Sequence, residues 1–149
     1  MNKHVEELLA LSVKSGVSLH NLSQDHFRCV LAAAVLRVPA DRNCSEREIN
    51  ELLERWLATA GAMLRIDHVS LRRALVDAGL LVRDGFGRAY SRPPAPASFA
   101  PCVDALAAVE IDELIDAARR ARAEARRVRA MAHGDGTALE GDLEVPRMN

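Results

Sequence analysis

Apolar residues recur at three-and-four spacing along most of this chain, between residues that start or stop helices. Val5, Leu8 and Leu9 share one side of the stretch Lys3 to Lys14, with Asn2 placed to cap it and Ser15-Gly16 to end it. A second helix is expected after Ser23, with Phe27, Val30, Leu31 and Ala34 as its core stripe and an end before Pro39. The clearest local signal is Ser45-Glu46-Arg47-Glu48, a capping box in which Ser45 and Glu48 satisfy each other's free amides. The helix it opens, from Glu46, carries Ile49, Leu52, Leu53, Trp56, Leu57 and Ala60 on one face, has Gly61 as its terminator, and reads as the main scaffold helix.

Asp67 is placed to cap a further helix, His68 to Ala78, whose inward face is Leu71, Ala74, Leu75 and Ala78 and whose stop is Gly79. The period then changes. Leu80 to Arg83 reads as a strand, Asp84-Gly85-Phe86-Gly87 as a hairpin turn, and Arg88 to Arg92 as the returning strand. Three helices followed by a hairpin is winged-helix order, so the fold class expected is mainly α with a small β-hairpin: a winged helix-turn-helix domain over 17–92, preceded by an N-terminal helix over 1–16. Pro93-Pro94-Ala95-Pro96-Ala97-Ser98 opens a Pro/Ala-rich linker over 93–109. Beyond it, Ile111, Leu114, Ala118, Ala121, Ala125, Val128 and Ala132 form the seam of an appended amphipathic helix over 110–132. The Gly- and acid-rich residues 133–149 read as a solvated, disordered tail.

Composition narrows the functional classes. The longest apolar run, Val30 to Leu36, is far short of a membrane span, and polar residues from Asn2 to Glu7 break any leader-like run, so the expected location is the cytoplasm with no membrane partner. The aromatic share is only 3% and the apolar mass is Leu, Val and Ala, which favours packed helices over a large sheet. The cysteines, Cys29, Cys44 and Cys102, are odd in number and widely spaced, and read as reduced, buried thiols. No two of the five histidines stand at metal-ligand spacing, so neither a metal nor a cofactor is expected.

Three segments resemble a bacterial family, the domain of unknown function 2087. They are Ser45-Glu46-Arg47-Glu48-Ile49-Asn50 with Leu52-Leu53, the run Ser70-Leu71-Arg72-Arg73-Ala74-Leu75-Val76-Asp77-Ala78-Gly79-Leu80-Leu81, and the hairpin Arg83 through Tyr90. The resemblance covers about Arg28 to Arg92 and implies a winged-helix fold with a regulatory association, and no catalytic residues. The chain departs from the pattern in its apolar connector, Ala62-Met63-Leu64-Arg65-Ile66.

If the helix from His68 enters a major groove, Arg72 and Arg73 point outward, where arginine contacts phosphates or reads guanine edges, with His68 and Ser70 beside them. The wing would bring Arg83, Arg88 and Arg92 to backbone phosphates. The expected function is therefore a DNA-associated transcription regulator with double-stranded DNA as partner. Against this, residues 17–92 hold eleven arginines and no lysine against nine acidic groups, a weak basic excess, and Arg73 with Asp77 has the spacing of a local helix pair. Val69 and Val76 on the outward arc suit the alternative, a winged-helix module that docks on a partner regulator or on the chain's own C-terminal helix. In that last helix, acidic residues from Glu110 to Asp116 precede arginines from Arg119 to Arg129, which matches the helix dipole and also permits an antiparallel homodimer. No phosphate loop, nucleophile elbow, zincin motif or paired carboxylates suggest an enzyme.

Overall fold

The four helix starts marked by polar caps are all formed in the computed structural model, which describes residues 1–86 and 88–144, with side chains for all of these but 134–144. Asn2 Oδ1 accepts from the His4 amide at 2.8 Å and opens α1 (Lys3–Ser12). Ser23 Oγ accepts from the His26 amide at 3.2 Å and opens α2 (Gln24–Val35). The capping box is complete: Ser45 Oγ accepts from the Glu48 amide at 3.1 Å and Glu48 Oε1 from the Ser45 amide at 3.0 Å, opening α3 (Glu46–Ala58). Asp67 Oδ1 accepts from the Ser70 amide at 2.7 Å at the start of α4 (His68–Asp77).

Gly79 ends this last helix with φ +79°, a left-handed conformation that side chains with a Cβ disfavour. The Leu80 and Leu81 amides then fold back onto the Leu75 carbonyl at 3.0 and 3.2 Å, and both leucines are buried. They belong to the helix exit, so the strand expected from Leu80 begins only at β2 (Val82–Arg83). Its partner is β3 (Ala89–Ser91), with Val82 opposite Ser91 and Arg83 opposite Tyr90. A strand the periodicity does not announce, β1 (Cys44–Ser45), pairs antiparallel with the other edge of β3, Cys44 opposite Tyr90, giving the order β1-β3-β2. The architecture is mainly helical with a small three-stranded antiparallel sheet, compatible with a helical domain carrying a hairpin wing. Gly87, the last residue of the expected turn, lies outside the described residues.

The helix enclosed on all sides over its later part is α2. Every residue from Cys29 to Val35 is 5% exposed or less, so its last two turns form a buried rod with no solvent face, more than the one-sided stripe expected, while Gln24 and Asp25 in its first turn are exposed. α1 and α5 (Ala100–Ala107) pack along it, and α4 touches it from the side of α3. α3, which the sequence marks as the scaffold, buries only Ile49, Leu53 and Trp56 completely. The apolar connector that departs from the family pattern is core as well: Met63 and Leu64 are buried, and Val17 bridges to it through Val17 N to Met63 O and Arg65 N to Val17 O, both 2.8 Å. Nearby, a Cβ on Gly61 would stand 2.5 Å from the Trp56 ring, so the end of α3 closes over the indole only with glycine there.

The stretch read as a linker over 93–109 contains α5, which buries Phe99, Cys102, Val103 and Leu106. Proline and alanine suggest an extended connector, but Pro101 sits in the first turn, where a missing amide costs no hydrogen bond. The last helix, α6 (Ile111–Glu144), is attached to the body and not merely appended. Ile115 is 2% exposed, while Ile111 and Leu114, the expected seam, are half-buried beside it. The Arg119 guanidinium donates to the carbonyls of Ser12 at 2.9 Å, Thr59 at 2.9 Å and Ala60 at 3.0 Å, placing one cation at the C-terminal ends of α1 and α3. From Arg120 to His133 every side chain is exposed. α6 continues to Glu144, into the segment read as a tail from 133 onward, and residues 145–149 lie outside the described residues.

Substituting Arg119 by alanine removes the donors to three main-chain carbonyls. It is expected to lower stability by about 1–3 kcal/mol, seen as a lower urea midpoint at unchanged m-value; an unchanged midpoint would mean that water replaces the guanidinium without loss.

Candidate nucleic-acid interface

Leu71 and Leu75 of α4 are completely buried, which fixes the rotation of the helix and therefore what it presents. Ser70, Arg73 and Asp77 are exposed on the opposite side. Arg73 makes no ion pair among the described residues, so the local pairing with Asp77 that its spacing allows is not formed. Arg72, expected to point outward beside it, turns the other way. Its side chain is only 14% exposed, it donates to Asn50 Oδ1, it lies 4.0 Å from Glu46 Oε1, and its guanidinium sits 5.8 Å from the centroid of the Tyr90 ring. Tyr90 in turn donates its hydroxyl to Glu46 Oε1 at 3.1 Å, and burial raises its phenol pKa. Arg72, Asn50, Glu46 and Tyr90 thus form a polar hub joining α4, α3 and β3. One residue of rotation, about 100°, separates it from Arg73, which explains how adjacent arginines come to play different parts.

The remaining residues divide in the same way. His68 is half-buried with Nδ1 3.6 Å from Glu54 Oε2, beside α3. Arg92, expected to reach phosphates from the wing, donates to the Val38 carbonyl at 3.0 Å and fastens the end of β3 to the exit of α2. Arg83 and Arg88 are exposed on the hairpin. Asp84 Oδ1 shapes the tip by accepting from the amides of Phe86 at 3.1 Å and Arg88 at 2.9 Å, an Asx-type turn. This leaves Phe86 85% exposed with the Arg88 guanidinium 6.0 Å from its ring centroid. An aromatic between two glycines was legible in the sequence, but only as a turn.

α4 and the hairpin meet at a depression of about 400 Å³ lined by Arg72, Arg73 and Arg83 with Glu46, Val76, Asp77 and Tyr90. On the other side of the helix a shallower hollow of about 670 Å³ runs between Ser18, His20, Arg65 and Asp67 and again reaches Ser70 and Arg73. Arg73 therefore stands on the ridge between two recesses. Val69 and Val76, read from the sequence as exposed, are half-buried, and Val76 packs on the core. A group with metal-ligand chemistry, not expected from sequence spacing, is brought together elsewhere: His4, Cys29 and Cys102, at the junction of α1, α2 and α5.

A helical domain with a small hairpin, with arginines exposed on the fourth helix and the hairpin as well as elsewhere, is the class these features define. Residues 22–92, somewhat under half of the chain, match the family described as an uncharacterized protein conserved in bacteria, DUF2087, in agreement with the resemblance read from its three motifs. No curated protein and no solved structure matches the chain. Among the described residues, no helix is long and apolar enough to cross a membrane.

The matched segment leaves out α1 and α5, which cover α2. A fragment limited to residues 22–92 is therefore expected to lose the cooperative unfolding transition and to bind a hydrophobic dye, whereas the full chain unfolds cooperatively; a cooperative fragment would show that the flanking helices are dispensable. The cap of α4 has its own signature. Hydrogen bonds from Ser70 hold the Asp67 carboxyl below its ordinary range. Its stabilising contribution is complete above the ordinary carboxylate pKa and is lost as the pH falls through the lowered value. Asp67→Asn keeps an acceptor without the titration, so the melting temperature of the wild type should exceed that of the variant at neutral pH and the difference should close in acid.

Proposed function

We propose that the DUF2087-matching segment of this chain faces duplex DNA with α4 and the β2–β3 hairpin, and that the protein acts as a non-catalytic, DNA-associated transcription regulator. The observation that carries this reading is the placement of Arg73 and Arg83 along one recess between helix and hairpin, with Arg88 exposed beyond it. A helix and a wing that meet at an angle present arginines to a groove and to the flanking phosphate backbone at once. Ser70 lies near the helix start on the same exposed side as Arg73 and is suited to a further contact. Arg72 and Arg92 support the surface from within: the first sets the orientation of α4 on α3, the second anchors β3. Homodimerisation belongs to the same reading, since Ala121, Ala125, Val128 and Ala132 remain exposed on the projecting part of α6.

The test is equilibrium binding of the purified full chain to mixed-sequence duplex DNA over a range of salt, beside an Arg73→Ala/Arg83→Ala/Arg88→Ala variant. Wild-type affinity is expected to fall with salt, the slope of log K against log salt to shrink by about 0.9 for each phosphate that the variant no longer neutralises, and the complex to hold two chains. No binding by the wild type at low salt would overturn the reading. A second reading, docking on a partner protein, is favoured by a different observation: Phe86 and Val82, 85% and 49% exposed, lie on the same hairpin. It predicts binding that is lost on Phe86→Ala and insensitive to the arginine substitutions.

A further inference from the structure

Three separate helices bring three ligand-type side chains within 4.8 Å of one another, with a carboxylate beside them. α1 supplies His4 and Glu7, one turn apart on the same face; α2 supplies Cys29 and α5 supplies Cys102. Cys29 Sγ lies 4.0 Å from Cys102 Sγ, Cys102 Sγ 3.4 Å from His4 Nδ1, and Glu7 Oε1 3.8 Å from Cys29 Sγ and 3.9 Å from His4 Nδ1. Tetrahedral zinc with bonds of about 2.3 Å to sulfur and about 2.0–2.2 Å to nitrogen or oxygen sets its ligand atoms about 3.3–3.8 Å apart. The Cys29–Cys102 and Cys102–His4 separations are within a few tenths of an ångström of that shell, while Glu7, close to Cys29 and His4, stands outside the group whose ligand atoms all lie within 4.8 Å of one another. Both thiols are buried, at 0% and 2% exposure, while His4 and Glu7 are only partly covered, which leaves a way in from one side.

We infer that His4, Cys29 and Cys102 bind a divalent cation of the zinc class, which locks α1 and α5 onto the buried helix α2. Two sulfurs and an imidazole select a borderline-soft ion over magnesium or calcium, and the fourth position of the tetrahedron is left to water or to Glu7 after a turn of its side chain. Without an ion, burial holds both cysteines as thiols, with pKa values above the ordinary range. Binding therefore breaks two S–H bonds, forms two metal–sulfur bonds and releases both protons to solvent, so affinity rises with pH. Besides Glu7, Arg28 and Asp25 of α2 act on Cys102 through their charges, Arg28 favouring the thiolate and Asp25 opposing it. The site is outside the surface formed by α4 and the hairpin, and its test is independent of DNA binding.

The experiment is titration of the full, reduced, metal-stripped chain with zinc by calorimetry in buffers of different ionisation enthalpy, and with cobalt by absorption. Expected are one ion per chain, proton release, a thiolate-to-cobalt charge-transfer band and a raised melting temperature with zinc. Cys102→Ser should weaken binding by on the order of 100-fold and diminish the band; His4→Gln, at the more open side of the site, should weaken binding with the fold intact by circular dichroism. Absence of both zinc binding and the charge-transfer band in the folded wild type would overturn the inference. So would cobalt binding that neither variant changes, or oxidation to a Cys29–Cys102 disulfide that zinc does nothing to prevent.

Discussion

A helical segment without a solvent face must be covered on every side, and the last two turns of α2 impose this requirement on the rest of the chain. From Cys29 to Val35 its side chains are cysteine, valine, leucine and alanine, with nothing polar to present to water. Alanines at 32–34 let neighbouring helices approach closely, and α1, α4 and α5 fill the available directions. The elements that complete this enclosure lie on both sides of the DUF2087 segment. The folded unit is thus larger than the family match, and the N-terminal helix and the helix after the prolines are parts of its core.

The enclosure also separates the arginines into two groups. Arg72, Arg92 and Arg119 are held by carbonyls, an amide oxygen or a ring at junctions between elements, where a planar guanidinium with several donors can satisfy more than one acceptor. Arg73, Arg83 and Arg88 are on the surface and available to a partner. Charge counting treats the two groups alike, although internal arginines add nothing to the attraction of a polyanion beyond their long-range field. Arginines elsewhere on the surface, such as Arg47, Arg55 and Arg65 and those of α6 from Arg120 on, lie outside the α4 and hairpin face.

Local chemistry was legible from the sequence wherever one short segment satisfied its own backbone. The caps at Asn2, Ser23, Ser45 and Asp67 and the left-handed stop at Gly79 need only neighbours within a few residues. β1 was not legible, because two residues carry no period and become a strand only when β3 arrives from more than forty residues away. α5 was hidden by composition, since proline and alanine describe an extended linker as readily as a capped, buried helix. The leucines at 80 and 81 resemble a strand in sequence because a short apolar run has no period of its own. The cluster of His4, Glu7, Cys29 and Cys102 has no spacing rule behind it beyond one helical turn between the first two.

What the sequence determined by itself was the capped helices α1 to α4, the stops between them, the hairpin and the resemblance to DUF2087, all of which depend on interactions or patterns local to the chain. The tertiary structure decided which helical segment is buried on all sides, which arginine of the adjacent pair at 72 and 73 faces solvent, and which cysteines meet a histidine. Those outcomes depend on the rotation of each helix about its axis, and that rotation is set by the apolar contacts it makes with elements distant in sequence.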